Sequence, residues 1–343
     1  MNPELSAALC SLSPKEQELI RLYCSGSSSA EELSRWFSTL DFDALYSETA
    51  WLAASVSAAN HYDGVPEAFI PRLKGILKYI HALNSGVLSA LHYLGRLLRD
   101  EGIPLVLLKE TALCVGFPQF SIGHLWMAEA AVPAADYPLV LKIAAHAGFE
   151  ILPGTDCAII RRGEVQQIAL YAYAEWDFHA LASGALMIPG TPFLMPKTEV
   201  LFLSLAQAFV ETLKQPKPAG RIMARLVSLW HLEQSGLDAA LLSKTARHQN
   251  SATVLQMTLQ CMDMFLPDTG IRKIPLSPGP RNQPEILAKD ILSWRQLPPQ
   301  GQRWKRLWLR VRIRTADHPA ALVPAFTAEL WAVLKRKLRR ILT

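Results

Sequence analysis

The chain has 343 residues, of which 50% are apolar, and carries a formal net charge of +5. This length allows a large core and two or three sub-domains. No uninterrupted apolar run approaches the roughly 20 residues that a membrane-spanning helix needs, so no such helix is expected. The first ten residues, MNPELSAALC, lack a basic segment followed by an apolar core, so no secretory signal is expected either.

The five cysteines are scattered along the chain and show no CxxC spacing. An odd, dispersed set of this kind argues against a disulfide framework and against a zinc knuckle. It is typical of proteins kept in a reducing compartment, so the expected location is the cytoplasm.

The positive charge is concentrated at the C-terminal end. Residues 303–343 contain eleven Lys/Arg and two acidic residues, a net charge of +9, whereas the other 302 residues carry 24 basic and 28 acidic groups. A mildly acidic body therefore precedes a strongly basic tail.

Helical patterns fill the first hundred residues. Ser13-Pro14-Lys15-Glu16 and Ser29-Ala30-Glu31-Glu32 both match the capping box that begins a helix, the first with proline at the first helical position. Further helices are predicted over residues 43–60 and 66–83, and an apolar stripe over residues 87–98 predicts one more, ended by Gly102.

Residues 102–133 are the most informative stretch. The segment Gly102-Ile103-Pro104-Leu105-Val106-Leu107-Leu108-Lys109 predicts a strand buried on both faces, followed by a short turn and helix. A second strand ends at Val132-Pro133, and a helix is expected over residues 134–148. Enzymes of the α/β class place their chemistry at strand ends such as these.

Short β-type segments and then helices follow. Strands are predicted over 149–152, 157–162 and 165–173, and edge strands flank a turn at 187–193. The remaining predicted segments are helices at 197–213, 219–235, 238–249 and 251–265, a proline-rich loop at 269–284, and a helix at 285–294.

These patterns predict an α/β (α+β) protein with a small mixed sheet between helical N-terminal and C-terminal regions. The predicted divisions are a helical region at 1–101, an α/β core at 102–196, a second helical region at 197–268, and a linker with basic helices at 269–343.

The runs GIPLVLLKETAL, SIGHLWMAEAAVP and a helix ending in AGFE resemble the uncharacterised bacterial nucleotidyltransferase family with a polymerase-β-like core. That family has a pattern of roughly GIPvvLLKGaaL, then RpmsDiDLLVp, then a helix ending in a Gly-aromatic pair. FLMPKTEVLFLSLAQAFVETL and RIMARLVSLWHLEQ resemble its later helices, so the resemblance covers residues 10–265. It implies a nucleotidyltransferase-type sheet, and it loosely suggests a place in a bacterial biosynthetic cluster.

The polar motif of the family is mostly replaced. Its metal-binding Asp-x-Asp pair falls on Met127-Ala128-Glu129, and its third acid falls on Ala169. The glycine after Lys109 falls on Glu110, and two later polar positions of the family fall near Ala208 and on Ser228. Magnesium sites of this kind need carboxylates, and the metal supplies most of the electrostatics of phosphoryl transfer. The resemblance therefore implies a retained framework with a dismantled metal site, and no cofactor is expected.

The expected function is that of a degenerate, non-catalytic nucleotidyltransferase-like protein that binds a protein, peptide or nucleotide-like ligand. We expect the ligand to contact Lys109, His124 and Tyr171. The rival interpretation is an active nucleotidyl- or other group transferase that uses Lys109, Glu110 and Glu129 with Mg²⁺ and a nucleoside triphosphate.

Glu175, Asp177 and His179 are weak metal candidates, because on an extended backbone alternate side chains point to one side. The same segment could instead begin a helix with its two carboxylates near the positive end. Both interpretations stay open at this point.

The basic tail suggests a third function, that of a membrane-surface adaptor. Basic helices with tryptophan at the interface suit anionic membranes at the inner face of the cell membrane, and they also suit acidic proteins. Packing on the acidic body of the same chain remains an alternative, and nucleic acid is not the expected partner. The residues proposed for such contacts are Arg303, Trp304, Arg306, Trp308, Arg310, Lys335, Arg336 and Lys337.

Overall fold

The fold is that of a computed structural model, which describes residues 3–26, 28–41, 47–117, 123, 125–153, 157–163, 166–215, 219–249, 251–266 and 283–295. In this part of the chain thirteen α-helices surround one seven-stranded mixed sheet, which confirms the predicted mixed α/β class. None of the helices described there has the length and apolar character needed to cross a membrane.

The N-terminal region is helical, as predicted. Both capping boxes form, with the Ser13 and Ser29 hydroxyls accepting from backbone N–H groups three residues later. The first helix was not predicted. The helices are α1 Pro3–Cys10, α2 Pro14–Cys24, α3 Ala30–Ser38, α4 Ser47–Ala59 and α5 Ile70–Asp100, with a short 3-10 turn at Glu67–Phe69.

Helix α5 corrects the prediction of two helices separated near residue 84. It runs unbroken for 31 residues through Asn84-Ser85-Gly86, which has the composition of a helix break. The Asn84 side chain is buried and makes two hydrogen bonds to a distant loop, donating to the Gly123 carbonyl at 3.0 Å and accepting from the Leu125 N–H at 2.8 Å. These tertiary contacts outweigh the weak helix propensity of asparagine and glycine.

The sheet has the order β3-β4-β5-β2-β1-β7-β6. Strands β2 and β5 pair in parallel, as do β1 and β7, whereas the other neighbours are antiparallel. Both strands near the 187–193 turn were predicted as edges, but β7 lies inside the sheet and only β6 is an edge. The strands are β1 Val106–Leu107, β2 Ala128–Pro133, β3 Glu150–Pro153, β4 Ala158–Arg162, β5 Gln166–Tyr173, β6 Leu186–Met187 and β7 Leu194–Met195.

The remaining helices connect the strands and form the C-terminal helical layer. Helix α9 packs on α6, α10 and α12, and α10 also packs on α2 and α4, so the two helical regions share a core beside the sheet. The helices are α6 Lys109–Gly116, α7 Tyr137–His146, α8 Glu175–Ala182, α9 Thr198–Leu213, α10 Ala219–Gln234, α11 Ala239–His248, α12 Ala252–Phe265 and α13 Gln283–Arg295.

The predicted domain boundaries stay predictions. The proline-rich segment predicted as a linker at 269–284 lies almost wholly outside the described residues, and so does the basic tail at 303–343.

Candidate functional site

A cavity of about 340 Å³ lies between the sheet and the C-terminal helices. One wall comes from the start of α6, the loop before β2 and β2 itself, and the other comes from the end of α9 and one face of α10. The sheet wall is formed by Glu110, Thr111, Gly123, Leu125, Trp126, Met127 and Glu129, and the helical wall by Thr212, Gln215, Arg221, Ala224, Arg225 and Ser228.

A strained strand-to-helix junction begins the sheet wall. Leu108 is extended, with φ −120° and ψ 151°, and Lys109 then adopts φ +48° as the first residue of α6. A non-glycine residue in this left-handed region is destabilised by roughly 1 kcal/mol or more and persists only where the surrounding structure holds it. Here a buried strand precedes it and a helix follows, and the unusual backbone turns the Lys109 side chain toward β2.

Lys109, Glu129 and Tyr171 form a partly buried polar triad. The Lys109 Nζ lies 2.5 Å from the Glu129 Oε1, and the Tyr171 hydroxyl donates to the same oxygen at 3.0 Å. The Glu129 side chain is only 15% exposed. Burial, helped by the Glu129 charge and hydrogen bond, strongly raises the pKa of Tyr171, so its phenol remains a protonated donor. The Thr111 hydroxyl accepts from the Glu129 backbone N–H at 2.8 Å and fixes the strand at this residue.

A second ion pair joins the two walls of the cavity. The Glu110 carboxylate on α6 contacts the Arg225 guanidinium on α10, and their side chains are 19% and 21% exposed. Burial lowers the pKa of Arg225 to about 10, which still leaves the guanidinium charged at neutral pH. The cavity thus contains two carboxylates, each held by its own cation.

The sheet register places Glu129 directly opposite Ala169, because β2 and β5 pair in parallel at these residues. Met127 lines the cavity just before β2, and Ser228 lines it on α10. At this point of the cavity Glu129 is therefore the one acid among the three positions 127, 129 and 169. The part of the chain that the structure describes contains no group of three or more His, Cys, Asp or Glu side chains that could hold a metal ion.

The residues predicted as an acid pair, Glu110 and Glu129, do line the same cavity. Of the three predicted ligand contacts, Lys109 and Tyr171 meet at Glu129, and His124 lies outside the described residues. Their roles in binding or catalysis stay predictions. The tail residues predicted to contact a membrane or partner also lie outside the described part.

The extended arrangement of Glu175, Asp177 and His179 is wrong. These residues belong to α8, with both carboxylates in its first turn. Residues two apart on a helix point in nearly opposite directions, so the alternation does not bring the three side chains together. The other interpretation, carboxylates at the positive end of a helix, is the one that forms.

Sequence reasoning missed the arginines of the helical wall. Arg221 and Arg225 are four residues apart on α10, a spacing that places both on one face of a helix. That spacing was a usable signal for a basic helical face. The spacing alone did not indicate which residue on the opposite wall of the cavity each arginine would contact.

Comparisons with known proteins add little to this geometry. No protein-family profile and no curated protein sequence matches the chain. Among solved structures, it is similar to the solution structure of the antibiotic-resistance factor ANT(2'')-Ia, an aminoglycoside nucleotidyltransferase, with 13% identity and a TM-score of 0.34 over 51% of this chain and 95% of that chain. A TM-score of this size does not establish a shared fold, so function is inferred from the residues of the cavity.

Proposed function

We propose that the chain binds a nucleotide-like ligand in the cavity between β2 and α10 and does not catalyse metal-dependent nucleotidyl transfer. This proposal is based on the contacts and neighbours of Glu129. Its carboxylate is engaged by Lys109 and Tyr171, and its neighbours at positions 127 and 169 are methionine and alanine. A divalent cation would have to displace the Lys109 ammonium and would then find one carboxylate where such sites need more.

The lining of the cavity supports a ligand with a planar ring. Trp126 lines the cavity and is 59% exposed, and Leu125 and Met127 beside it in the chain also line the cavity. Stacking of a base on an exposed aromatic side chain contributes about 1–3 kcal/mol to binding. The loop that carries Trp126 is held by the buried Asn84, so the aromatic surface is positioned before a ligand arrives.

Calorimetric titration with ATP, CTP, GTP and UTP tests the proposal, with and without Mg²⁺ or Mn²⁺. We expect micromolar binding that is unchanged by a metal chelator, together with no metal-dependent release of pyrophosphate. Trp126→Ala should weaken binding by roughly tenfold, in line with the loss of one stacked base. Tyr79→Ala serves as the control, because Tyr79 is a similarly exposed aromatic residue (64%) on helix α5 outside the cavity lining.

Metal-dependent binding that disappears in Glu129→Ala would refute this proposal and support the rival group transferase. The predicted protein or peptide partner, the biosynthetic cluster and the membrane contact through residues 303–343 remain separate predictions. Deleting residues 303–343 and measuring binding to anionic liposomes at low and high salt tests the last of these.

A further inference from the structure

We propose that Glu110 is a built-in competitor for the anionic group of the ligand. In this structure the Glu110 carboxylate is bound by Arg225, and an incoming phosphate or carboxylate group takes over that guanidinium. The inference deepens the proposed function, because it assigns the class of chemical group that the helical wall receives.

The charges of the cavity support an exchange at Arg225. Lys109 lies on the sheet side outside the cavity lining and pairs with Glu129, whose carboxylate also accepts from Tyr171. Arg225 and Arg221 lie on the helical wall, one turn apart on the same face, and both line the cavity. The two arginines are therefore the cations best placed to receive a ligand anion between the walls.

The Glu110 carboxylate binds the guanidinium of Arg225 in the way that a ligand anion would. Arginine presents five N–H donors in a planar fork that matches carboxylate and phosphate oxygens alike. Glu110 contacts the Nη1 atom of Arg225 through one oxygen. Arg221 donates from its Nη1 to the Gln215 Oε1 at 2.9 Å, an uncharged partner that holds it at the cavity.

Glu110 can leave Arg225 without becoming an unstabilised charge. It is in the first turn of α6, where the positive end of the helix dipole stabilises a carboxylate. Its side chain also lines the cavity, so a carboxylate released from Arg225 has the cavity beside it. Both features favour an exchange of partners over a permanent link between the walls.

The test uses the full chain and inorganic pyrophosphate, with citrate as a carboxylate probe. Glu110→Gln removes the competing charge and should tighten the binding of at least one of these anions by roughly tenfold, because the anion then meets no carboxylate already bound to Arg225. Arg225→Gln should abolish the binding of that anion. Glu150→Gln is the matched control, because it removes the same charge from an exposed pair with Arg161 outside the cavity lining and should change nothing.

Glu110→Asp provides a second variant if the glutamine variant folds poorly. It keeps the charge but shortens the reach to Arg225, so it should also bind the anion more tightly than the unaltered chain. Unchanged or weaker anion binding in the folded Glu110 variants would overturn the proposal and make the pair a fixed structural link, as would no anion binding at all.

Measuring adenosine binding distinguishes failure of this inference from failure of the proposed function. Adenosine carries no anionic group, so its binding should depend on Trp126 and should not respond to Glu110→Gln. Adenosine binding without the expected anion gain refutes only the competitor role. Absence of nucleotide and adenosine binding refutes the proposed function, and the pyrophosphate titration still decides the exchange at Arg225.

Discussion

Lys109 has a left-handed backbone at the start of α6. We therefore predict that glycine is tolerated better than alanine at this position. Both Lys109→Gly and Lys109→Ala remove the ammonium from Glu129. The side chains of Lys109 and Glu129 are 24% and 15% exposed. Their ion pair is therefore intermediate between exposed pairs, which contribute about 0–1 kcal/mol to stability, and buried pairs, whose disruption costs about 3–5 kcal/mol. We therefore expect each variant to lose about 2 kcal/mol of unfolding free energy from this source.

The backbone adds a difference between the two variants. At φ +48° alanine keeps the steric penalty that lysine already has, whereas glycine relieves it by roughly 1–2 kcal/mol. The greater chain entropy of glycine in the unfolded state offsets about 0.4–1 kcal/mol of this gain, so the glycine variant should be more stable than the alanine variant by about 0.5–1 kcal/mol.

Urea unfolding at neutral pH, followed by tryptophan fluorescence and far-ultraviolet circular dichroism, measures this difference. Lys142 in the interior of α7 is the matched control, because at an ordinary helical residue alanine should be the more stable replacement by about 1 kcal/mol. The reasoning is refuted if glycine and alanine rank in the same order at both positions.

Two further predictions concern residues outside the ion pairs. The pKa of His231 is lowered to about 4 by burial, and its Nε2 lies 2.8 Å from the Tyr23 hydroxyl. Because the unfolded chain takes up this proton near pH 6.5, His231 contributes stability that is complete above pH 6.5 and falls by at most about 1.4 kcal/mol per pH unit down to pH 4. His231→Gln should flatten the stability profile over that window, and an unchanged slope would contradict the assignment. Asn84→Ala removes both hydrogen bonds to Gly123 and Leu125, so it should lose about 2 kcal/mol and weaken ligand binding. Asn84→Asp keeps the acceptor but turns a buried carboxylate oxygen toward the Gly123 carbonyl, so it should lose at least as much.

Local signals made much of the secondary structure predictable. The starts of α2 and α3 depend on a serine and a glutamate three residues apart, and both capping boxes form as the sequence indicates. The same holds for α9, α10 and α12, whose buried apolar faces extend over about three turns. In these segments short-range physics and the final fold agree, so the sequence alone was sufficient.

Errors arose where a distant contact decides the local structure. Asn84 and Gly86 have the composition of a helix break, yet α5 continues because Asn84 is held by the loop before β2. The prediction of two edge strands around the turn at 187–193 was wrong in part for a similar reason. Strand β7 pairs with β1, which precedes it by almost ninety residues. Neither partner can be identified from the pattern of the segment itself.

The candidate site, too, could be predicted only in part. Glu110 and Glu129 could be selected as acids near strand ends, and both reach one cavity. Their electrostatic roles could not be predicted, because the cation that meets Glu110 comes from Arg225 on a helix more than a hundred residues later. Carboxylates that the sequence offers as metal ligands are paired with cations in the fold.

This neutralisation also bears on the proposed binding of an anionic ligand. Lys109, Arg221 and Arg225 bring three positive charges to Glu110 and Glu129, so the five groups together carry a net charge of +1. In a metal-dependent transferase, divalent cations offset the negative charge of the ligand. Here the side chains of the chain itself supply the positive charge, and a second metal-binding acid near Glu129 would compete with the ligand for it. Methionine and alanine at positions 127 and 169 avoid that competition, so the charges around the cavity are consistent with the proposed binding of an anion without metal.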